Sequence, residues 1–220
     1  MTRILPTVAI IGPDGAGKTT IARRLERSLP LPTRYLYMGW NYQASNVMLP
    51  SNRLLQRVRA DGGPPAESAG RRRIPVVHQL AAALKLANLV AEGWYRQIVA
   101  NRWRRKGYLV IFDRHFVADF TDGRLAGGGT RARRIRHAIL RGALPRPGIL
   151  IYLDAPPETL LERKGEGTLD SLERQRQAYR RIVADHGRAL EIRSDRDLPV
   201  VTDEVRAAIL SLLEQRQRHG

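Results

Sequence analysis

Short apolar runs alternate with longer amphipathic stretches along most of this chain. The apolar runs are typical of buried strands and lie at residues 7–11, 34–38, 108–112, 149–153 and, more weakly, 189–192. Between and after them, helical spacing of apolar residues predicts helices at residues 19–29, 76–106, 156–163, 172–186 and 203–217. Gly93 is a candidate break in the second helix, and Thr202 is the expected N-cap of the last. Strands that alternate with helices predict an α/β fold, in which helices cover both faces of a parallel sheet.

Two segments lack this periodicity and are predicted to be loops. Residues 39–75 include Asp61-Gly-Gly-Pro-Pro, which predicts a mobile loop at about 60–74, and residues 122–130 contain three consecutive glycines. A length of 220 residues suits one domain spanning residues 1–220.

A glycine-rich motif lies between the first strand and the first helix. Gly12-Pro13-Asp14-Gly15-Ala16-Gly17-Lys18-Thr19 matches the phosphate-binding pattern G-x-x-x-x-G-K-[ST] in full. The glycines allow backbone N–H groups to form a concave anion site at the start of a helix. Lys18 then supplies a charge for the β and γ phosphates of ATP, and the Thr19 hydroxyl can bind Mg²⁺. The nucleotide-binding prediction covers these eight residues and Thr20.

An acidic residue ends the third predicted strand. Asp113 follows Leu109-Val-Ile-Phe, and ligands of parallel sheets bind at the carboxyl ends of the strands. Asp113 is therefore expected to hold Mg²⁺ together with Thr19, and Arg114 is expected to contact a phosphate or the acceptor. The alternative for Asp113 is a cap of the following segment.

Composition adds a large positive charge. There are 38 basic and 21 acidic residues, for a formal net charge of +17, and only four of the basic residues are lysines. Such a surface attracts polyanions, including nucleic acid. The arginine runs are not interleaved with aromatic residues that could stack on bases, so an arginine-rich codon bias on a solvated surface is favoured over nucleic-acid binding.

Other features bear on location. The sequence contains no cysteine, which agrees with a reducing compartment. Pro6 interrupts the first residues and polar residues interrupt the apolar stretch at 76–90, so neither a signal peptide nor a membrane span is expected. We expect a cytoplasmic protein.

Several motifs narrow the type of phosphate-binding protein. Neither the Asn-Lys-x-Asp motif of GTPases nor a transporter signature is present, which leaves the small kinases. The loop with Asp14, the strand Gly107-Tyr-Leu-Val-Ile-Phe-Asp113-Arg114-His115 and residues 156–164 resemble the thymidylate kinase family over nearly the whole chain. The resemblance implies a P-loop fold with a five-stranded parallel sheet in the order 2-3-1-4-5 and a lid.

The resemblance also implies roles for individual residues. Asp14 would approach the sugar hydroxyl of the acceptor, and a lid at about 163–171 would close over ATP. Arg163 is then a catalytic candidate beside Lys18, Asp113 and Arg114. Lys164 and Arg174 are candidate ATP ligands, with Arg176 behind them. A homodimer is plausible by analogy with the family.

The chain departs from the family at the acceptor site. The segment Tyr37–Tyr42 lacks the family's phosphate-binding arginine, and Glu92 replaces a second one. Arg96, one helical turn further on, is the alternative phosphate ligand. The predicted acceptor-binding residues are Asp14, Glu92, Arg96 and Arg114, and we expect a hydroxyl-bearing acceptor with less negative charge than dTMP, such as a nucleoside or sugar-like metabolite.

A second hypothesis is a nucleotide-binding regulator or nucleic-acid-associated ATPase. It predicts salt-sensitive binding of DNA or RNA without phosphorylation of any acceptor.

Overall fold

The computed structural model describes residues 4–39, 45–53, 75–115, 138–139 and 142–218. The predicted loops at 60–74 and 122–130 lie outside these residues, as does part of the Tyr37–Tyr42 segment. The strands are β1 (Thr7–Ile11), β2 (Thr33–Tyr37), β3 (Leu109–Asp113), β4 (Ile149–Asp154) and β5 (Ala189–Arg193). The helices are α1 (Lys18–Ser28), α2 (Pro75–Arg105), α3 (Pro157–Lys164), α4 (Leu169–Ala184) and α5 (Leu198–Arg218).

The five strands form one parallel sheet in the order β2-β3-β1-β4-β5. This confirms the predicted sheet, and with helices on both faces it is the α/β fold of P-loop NTPases. β1, β3 and β4 are buried throughout because each lies between two strands and between two helical layers. Alternate residues of β1 therefore enter different cores, with Val8 and Ile10 in one and Ala9 and Ile11 in the other.

The two cores lie on opposite faces of the sheet. One core joins α1 and α5 through residues such as Leu25 and Val205, and the other includes Ala100 of α2 and Tyr179 of α4. The glycine-rich loop follows β1, and Arg114 follows β3. Because β1 and β3 are paired neighbours, their carboxyl ends hold the loop and Arg114 beside each other.

Two local predictions are corrected. Helix α2 continues through Gly93, where a Cβ atom would lie 2.8 Å from Leu144, so the glycine provides room for that side chain. Thr202 is not an N-cap, because α5 begins four residues earlier at Leu198 and the Thr202 hydroxyl donates to the Leu198 carbonyl at 2.6 Å. Pro199 is tolerated there because the first turn of a helix has no partner for its N–H groups.

In the part of the chain that the structure describes, no helix combines the length and apolar character needed to cross a bilayer.

Candidate active site

The glycine-rich loop connects β1 to α1 at the carboxyl edge of the sheet. Gly15 and Gly17 have φ values of +93° and +81°, in the left-handed region that glycine tolerates best. A Cβ atom on Gly12 would lie 2.5 Å from the Leu153 carbonyl oxygen, so only glycine permits this approach to β4. These conformations let consecutive N–H groups converge on one anion, at the N-terminus of α1.

Lys18 folds back over this loop. Its Nζ donates to the Pro13 carbonyl at 2.6 Å and lies 3.5 Å from Asp14 Oδ1, and the side chain is 5% exposed. The ammonium group is therefore held above the loop and out of bulk solvent. An anion bound by the N–H groups of the loop would contact it there.

Asp113 lies beside the first turn of α1. Its Oδ2 accepts hydrogen bonds from the Thr19 hydroxyl at 2.7 Å and from the Tyr35 hydroxyl at 2.8 Å. Its Oδ1 is buried and has no hydrogen-bond partner among the described residues. Mg²⁺ prefers oxygen ligands, and this site offers a hydroxyl group beside a buried carboxylate oxygen that has no hydrogen-bond donor among the described residues.

These two residues fit a magnesium site completed by phosphate and water oxygens. Over the described ranges, no cluster of three or more acidic, histidine or cysteine residues could hold a metal by itself. That matches the way Mg²⁺ is bound in kinases, through one or two protein ligands and the substrate phosphates.

Arg114 adopts an unusual backbone conformation that aims it at the loop. Its φ is +65°, in the left-handed region, although its N–H still donates to the Ile10 carbonyl at 3.0 Å. Such a conformation in a non-glycine residue costs of order 1 kcal/mol or more and persists where the surroundings enforce it. Here the Arg114 Nη2 donates to Asp14 Oδ1 at 2.8 Å. The next residue, His115, is fully buried, which lowers its pKa to about 3, so its ring is neutral near pH 7.

A buried polar network lies next to Arg114. The Glu92 carboxylate, which is 0% exposed, accepts hydrogen bonds from the Leu49 N–H, the Asn52 side chain and Arg96 Nε at 2.8–2.9 Å. Arg96 also donates through Nη1 to the Gly39 carbonyl at 2.7 Å, and a Cβ atom on Gly39 would lie 2.9 Å from Arg114 Cδ. Arg96 Nη2 is buried without a hydrogen-bond partner in the described segments.

An open cavity of about 390 Å³ lies on the other side of the loop. Arg163 stands at its wall and donates through Nη1 to the Ser194 carbonyl at 2.9 Å, with a longer contact of 3.4 Å to the Gly15 carbonyl. The remaining wall comes from the loop, from α1, from the segment after β5 and from the start of α5: Gly15, Ala16, Gly17, Thr20, Ile21, Ser194, Arg196, Asp197, Leu198 and Val201.

The search against protein-family models found no match. Among curated proteins, the chain is similar to a thymidylate kinase from Xanthomonas euvesicatoria pv. vesicatoria (strain 85-10). The two are 28% identical over 218 residues, which is 95% of this chain and 85% of that protein. The similarity spans nearly the whole chain, as the resemblance of the motifs predicted, and it agrees with the P-loop fold described above.

The structure brings most of the predicted site residues together. One edge of the sheet carries the predicted loop residues, Asp113 and Arg114. Arg163 contacts the same loop. Lys164 and Arg174 are exposed, and Lys164 Nζ lies 3.9 Å from Glu166. The roles predicted for Lys164 and Arg174 at ATP, and the closing of a lid, remain predictions.

Sequence reasoning missed the part of the cavity wall that follows β5. Ser194, Arg196 and Leu198 carry no motif, and β5 was the weakest predicted strand. The available signal was position alone, because a segment that follows an edge strand of a parallel sheet lies at the same carboxyl edge as the glycine-rich loop.

Arg176 is paired with Asp154, the last residue of β4, and not with the glycine-rich loop. It donates to both carboxylate oxygens of Asp154 at 2.8 and 2.6 Å, and Arg180 and the Tyr152 hydroxyl also donate to Asp154. Burial alone would raise the pKa of Asp154, but the hydrogen bonds from Arg176 and Tyr152 outweigh it and hold the pKa below its ordinary value. The cluster joins β4 to α4.

We expect Asp154→Ala to lower the free energy of unfolding by about 2 kcal/mol, because it removes the charged acceptor of several hydrogen bonds. Arg176 would keep only its pair with Glu173. Since the folded-state pKa is lowered, this contribution is complete above about pH 5. It is lost as the pH falls through the ordinary value near 3.9 towards the folded-state value. Urea unfolding at pH 7 and at lower pH measures both effects.

Asp203→Ala is the matched control, since it also removes one carboxylate but from the exposed pair Asp203–Arg206. It is expected to change stability by no more than about 1 kcal/mol. Equal losses in the two variants would contradict a stabilising role for the Asp154 cluster.

Proposed function

We propose that this protein is a P-loop kinase that transfers the γ-phosphoryl group of ATP to a hydroxyl group of a small acceptor. The observation that carries the proposal is the convergence of Lys18, Thr19, Asp113 and Arg114 on one loop that is shaped for an anion. The similarity to a thymidylate kinase supports phosphoryl transfer to a small molecule, and the choice of a hydroxyl acceptor rests on the site described above.

The loop and Lys18 would bind the phosphates of ATP, with Lys18 exchanging its contact to the Pro13 carbonyl for the β and γ phosphates. Thr19 and Asp113 would hold Mg²⁺, directly or through water; when bound, the ion neutralises phosphate charge and aligns the β and γ groups. Arg114 and Arg163 would stabilise the charge that develops on the transferred group. The base of ATP would occupy the cavity between Arg163 and the start of α5.

Asp14 and Asp113 lie on the acceptor side of the loop. Asp14 is paired with Arg114 and would accept a hydrogen bond from an acceptor hydroxyl. Asp113 would take the proton of the attacking hydroxyl only where it holds Mg²⁺ through water, because an Oδ1 bound directly to the ion is a weak base.

The charge of the acceptor site favours a neutral acceptor. Glu92 compensates the buried charge of Arg96, and Asp14 compensates the charge of the partly exposed Arg114. Both oxygens of Glu92 already receive protein donors, so we assign Glu92 a positioning role in place of the predicted direct contact with the acceptor. Arg96 Nη2, which has no partner among the described residues, would donate to an acceptor oxygen.

We expect neutral acceptors to give a higher kcat/KM than their phosphorylated counterparts. The test measures ADP release with Mg²⁺ and ATP for matched pairs such as thymidine and dTMP, together with other nucleosides, nucleoside monophosphates, sugars and sugar acids. Turnover of dTMP well above that of every uncharged acceptor would contradict the proposed acceptor class.

The variant Glu92→Gln tests the electrostatic part of this prediction. Removing the compensating charge should shift the preference towards the phosphorylated member of each pair by about tenfold or more. Two unit charges about 6 Å apart in a protein interact by about 3 kcal/mol at an effective dielectric constant of 20. Glu158→Gln, on the exposed first turn of α3, removes the same charge as a control and should leave the ratio unchanged.

A further inference from the structure

A tyrosine on the edge strand β2 contacts the proposed magnesium ligand. The Tyr35 hydroxyl donates to Asp113 Oδ2 at 2.8 Å, across the interface of β2 and β3. Tyr35 pairs with Ile111 in the register of these strands, so its side chain extends along the sheet towards the next residue on the same face, Asp113. No motif marks Tyr35, and it was not among the predicted site residues.

Tyr35 is held in place from three sides. Its ring is 3% exposed and lies in the core shared with α1. The Arg23 guanidinium lies 3.6 Å from the ring centroid, and Glu26 Oε1 accepts the Tyr35 N–H at 2.8 Å. Arg23 and Glu26 belong to α1, the helix that also carries Lys18 and Thr19. The ring is therefore fixed relative to the phosphate-binding loop.

The contacts divide the two oxygens of Asp113 between different tasks. Oδ2 accepts both hydroxyl groups, from Thr19 on α1 and Tyr35 on β2, which fixes the rotation of the carboxylate about its last bond. Oδ1 then remains buried without a partner in the described part of the chain, on the side away from both donors. A carboxylate held by one hydroxyl alone could rotate and exchange its two oxygens.

We propose that Tyr35 is a positioning residue that aims Asp113 Oδ1 at the metal site and so sets the affinity for the divalent cation. The inference rests on the proposed function. Hydrogen bonds to a ligating carboxylate orient it, and their loss typically weakens metal binding by tenfold or more. Tyr35 would act only through Asp113, since its hydroxyl is already used in the contact with Oδ2.

The variant Tyr35→Phe removes the hydroxyl and keeps the ring beneath Arg23. Mn²⁺ binding in the presence of ADP, followed by the electron paramagnetic resonance signal of free Mn²⁺, is expected to weaken about tenfold. ADP binding without metal should be unchanged, because the phosphate-binding loop is untouched. The Mg²⁺ concentration for half-maximal turnover should rise in parallel.

Tyr152→Phe is a matched control, because the Tyr152 hydroxyl donates to Asp154 at the end of β4 in the same way. It should bind Mn²⁺ like the wild type. If Tyr35→Phe also binds Mn²⁺ like the wild type while its fold is preserved, the positioning role is overturned and the proposed kinase function stands. If the wild-type protein fails to bind Mn²⁺ with ADP, the proposed function is overturned, and the role of Tyr35 with it.

Discussion

Replacing Lys18 with alanine is expected to leave a folded protein whose phosphoryl-transfer rate is lower by roughly a hundredfold or more. Lys18 is nearly buried over the loop, where its charge would act on the γ-phosphoryl group in surroundings that screen it less than water does. A hundredfold loss corresponds to about 2.7 kcal/mol of transition-state stabilisation. Steady-state kinetics at saturating ATP and Mg²⁺ measures the effect.

Lys106→Ala provides the control. Lys106 is exposed after α2, at the edge of the sheet opposite the loop, and its loss removes the same charge from the protein. This variant should keep the wild-type rate. Wild-type turnover by Lys18→Ala would refute the role of Lys18, whereas equal losses in both variants would point to net charge as the cause.

The variant Asp113→Asn is expected to lower kcat by roughly a hundredfold to a thousandfold. The two hydroxyl donors at Oδ2 will select the amide oxygen for that position. The amide NH₂ group then takes the place of Oδ1. An NH₂ group can neither ligate a metal ion nor accept a proton from the attacking hydroxyl. The substitution removes a buried charge without changing the shape of the side chain, so the fold should be retained.

Kinetics over a range of Mg²⁺ concentrations measure this effect, because a residue that helps to bind the metal shifts the Mg²⁺ dependence as well as the maximal rate. Asp203→Asn, on the exposed face of α5, should behave like the wild type. An unchanged kcat and an unchanged Mg²⁺ dependence in Asp113→Asn would exclude it from the proposed metal site.

The regular parts of the fold were accessible from sequence because the physical signals there are local. The three central strands are mostly apolar, with polar residues only near their ends, and the glycine motif fixes the loop between β1 and α1. The start of α5 was missed because Thr202 resembles a cap, whereas Asp197-Leu198-Pro199 begins the helix and carries no apolar periodicity of its own. Gly93 resembled a break because nothing in the sequence places Leu144 against it.

The side-chain contacts of the site depend on distant parts of the chain. Tyr35 and Asp113 are 78 residues apart, and Glu92 receives donors from Leu49 and Asn52, in a segment without periodicity. The motif position of Glu92 predicted a contact with the acceptor. A carboxylate enclosed by protein donors becomes visible only when the segment that encloses it is placed in three dimensions.

The most direct test of the proposed kinase is the transfer of label from [γ-³²P]ATP to the panel of acceptors, with Lys18→Ala as the reference. We predict that the wild-type protein will transfer label to at least one uncharged acceptor in the presence of Mg²⁺, and that Lys18→Ala will transfer roughly a hundredfold less. Release of label only as inorganic phosphate, together with salt-sensitive binding of DNA or RNA, would contradict the kinase and favour the nucleic-acid-associated ATPase.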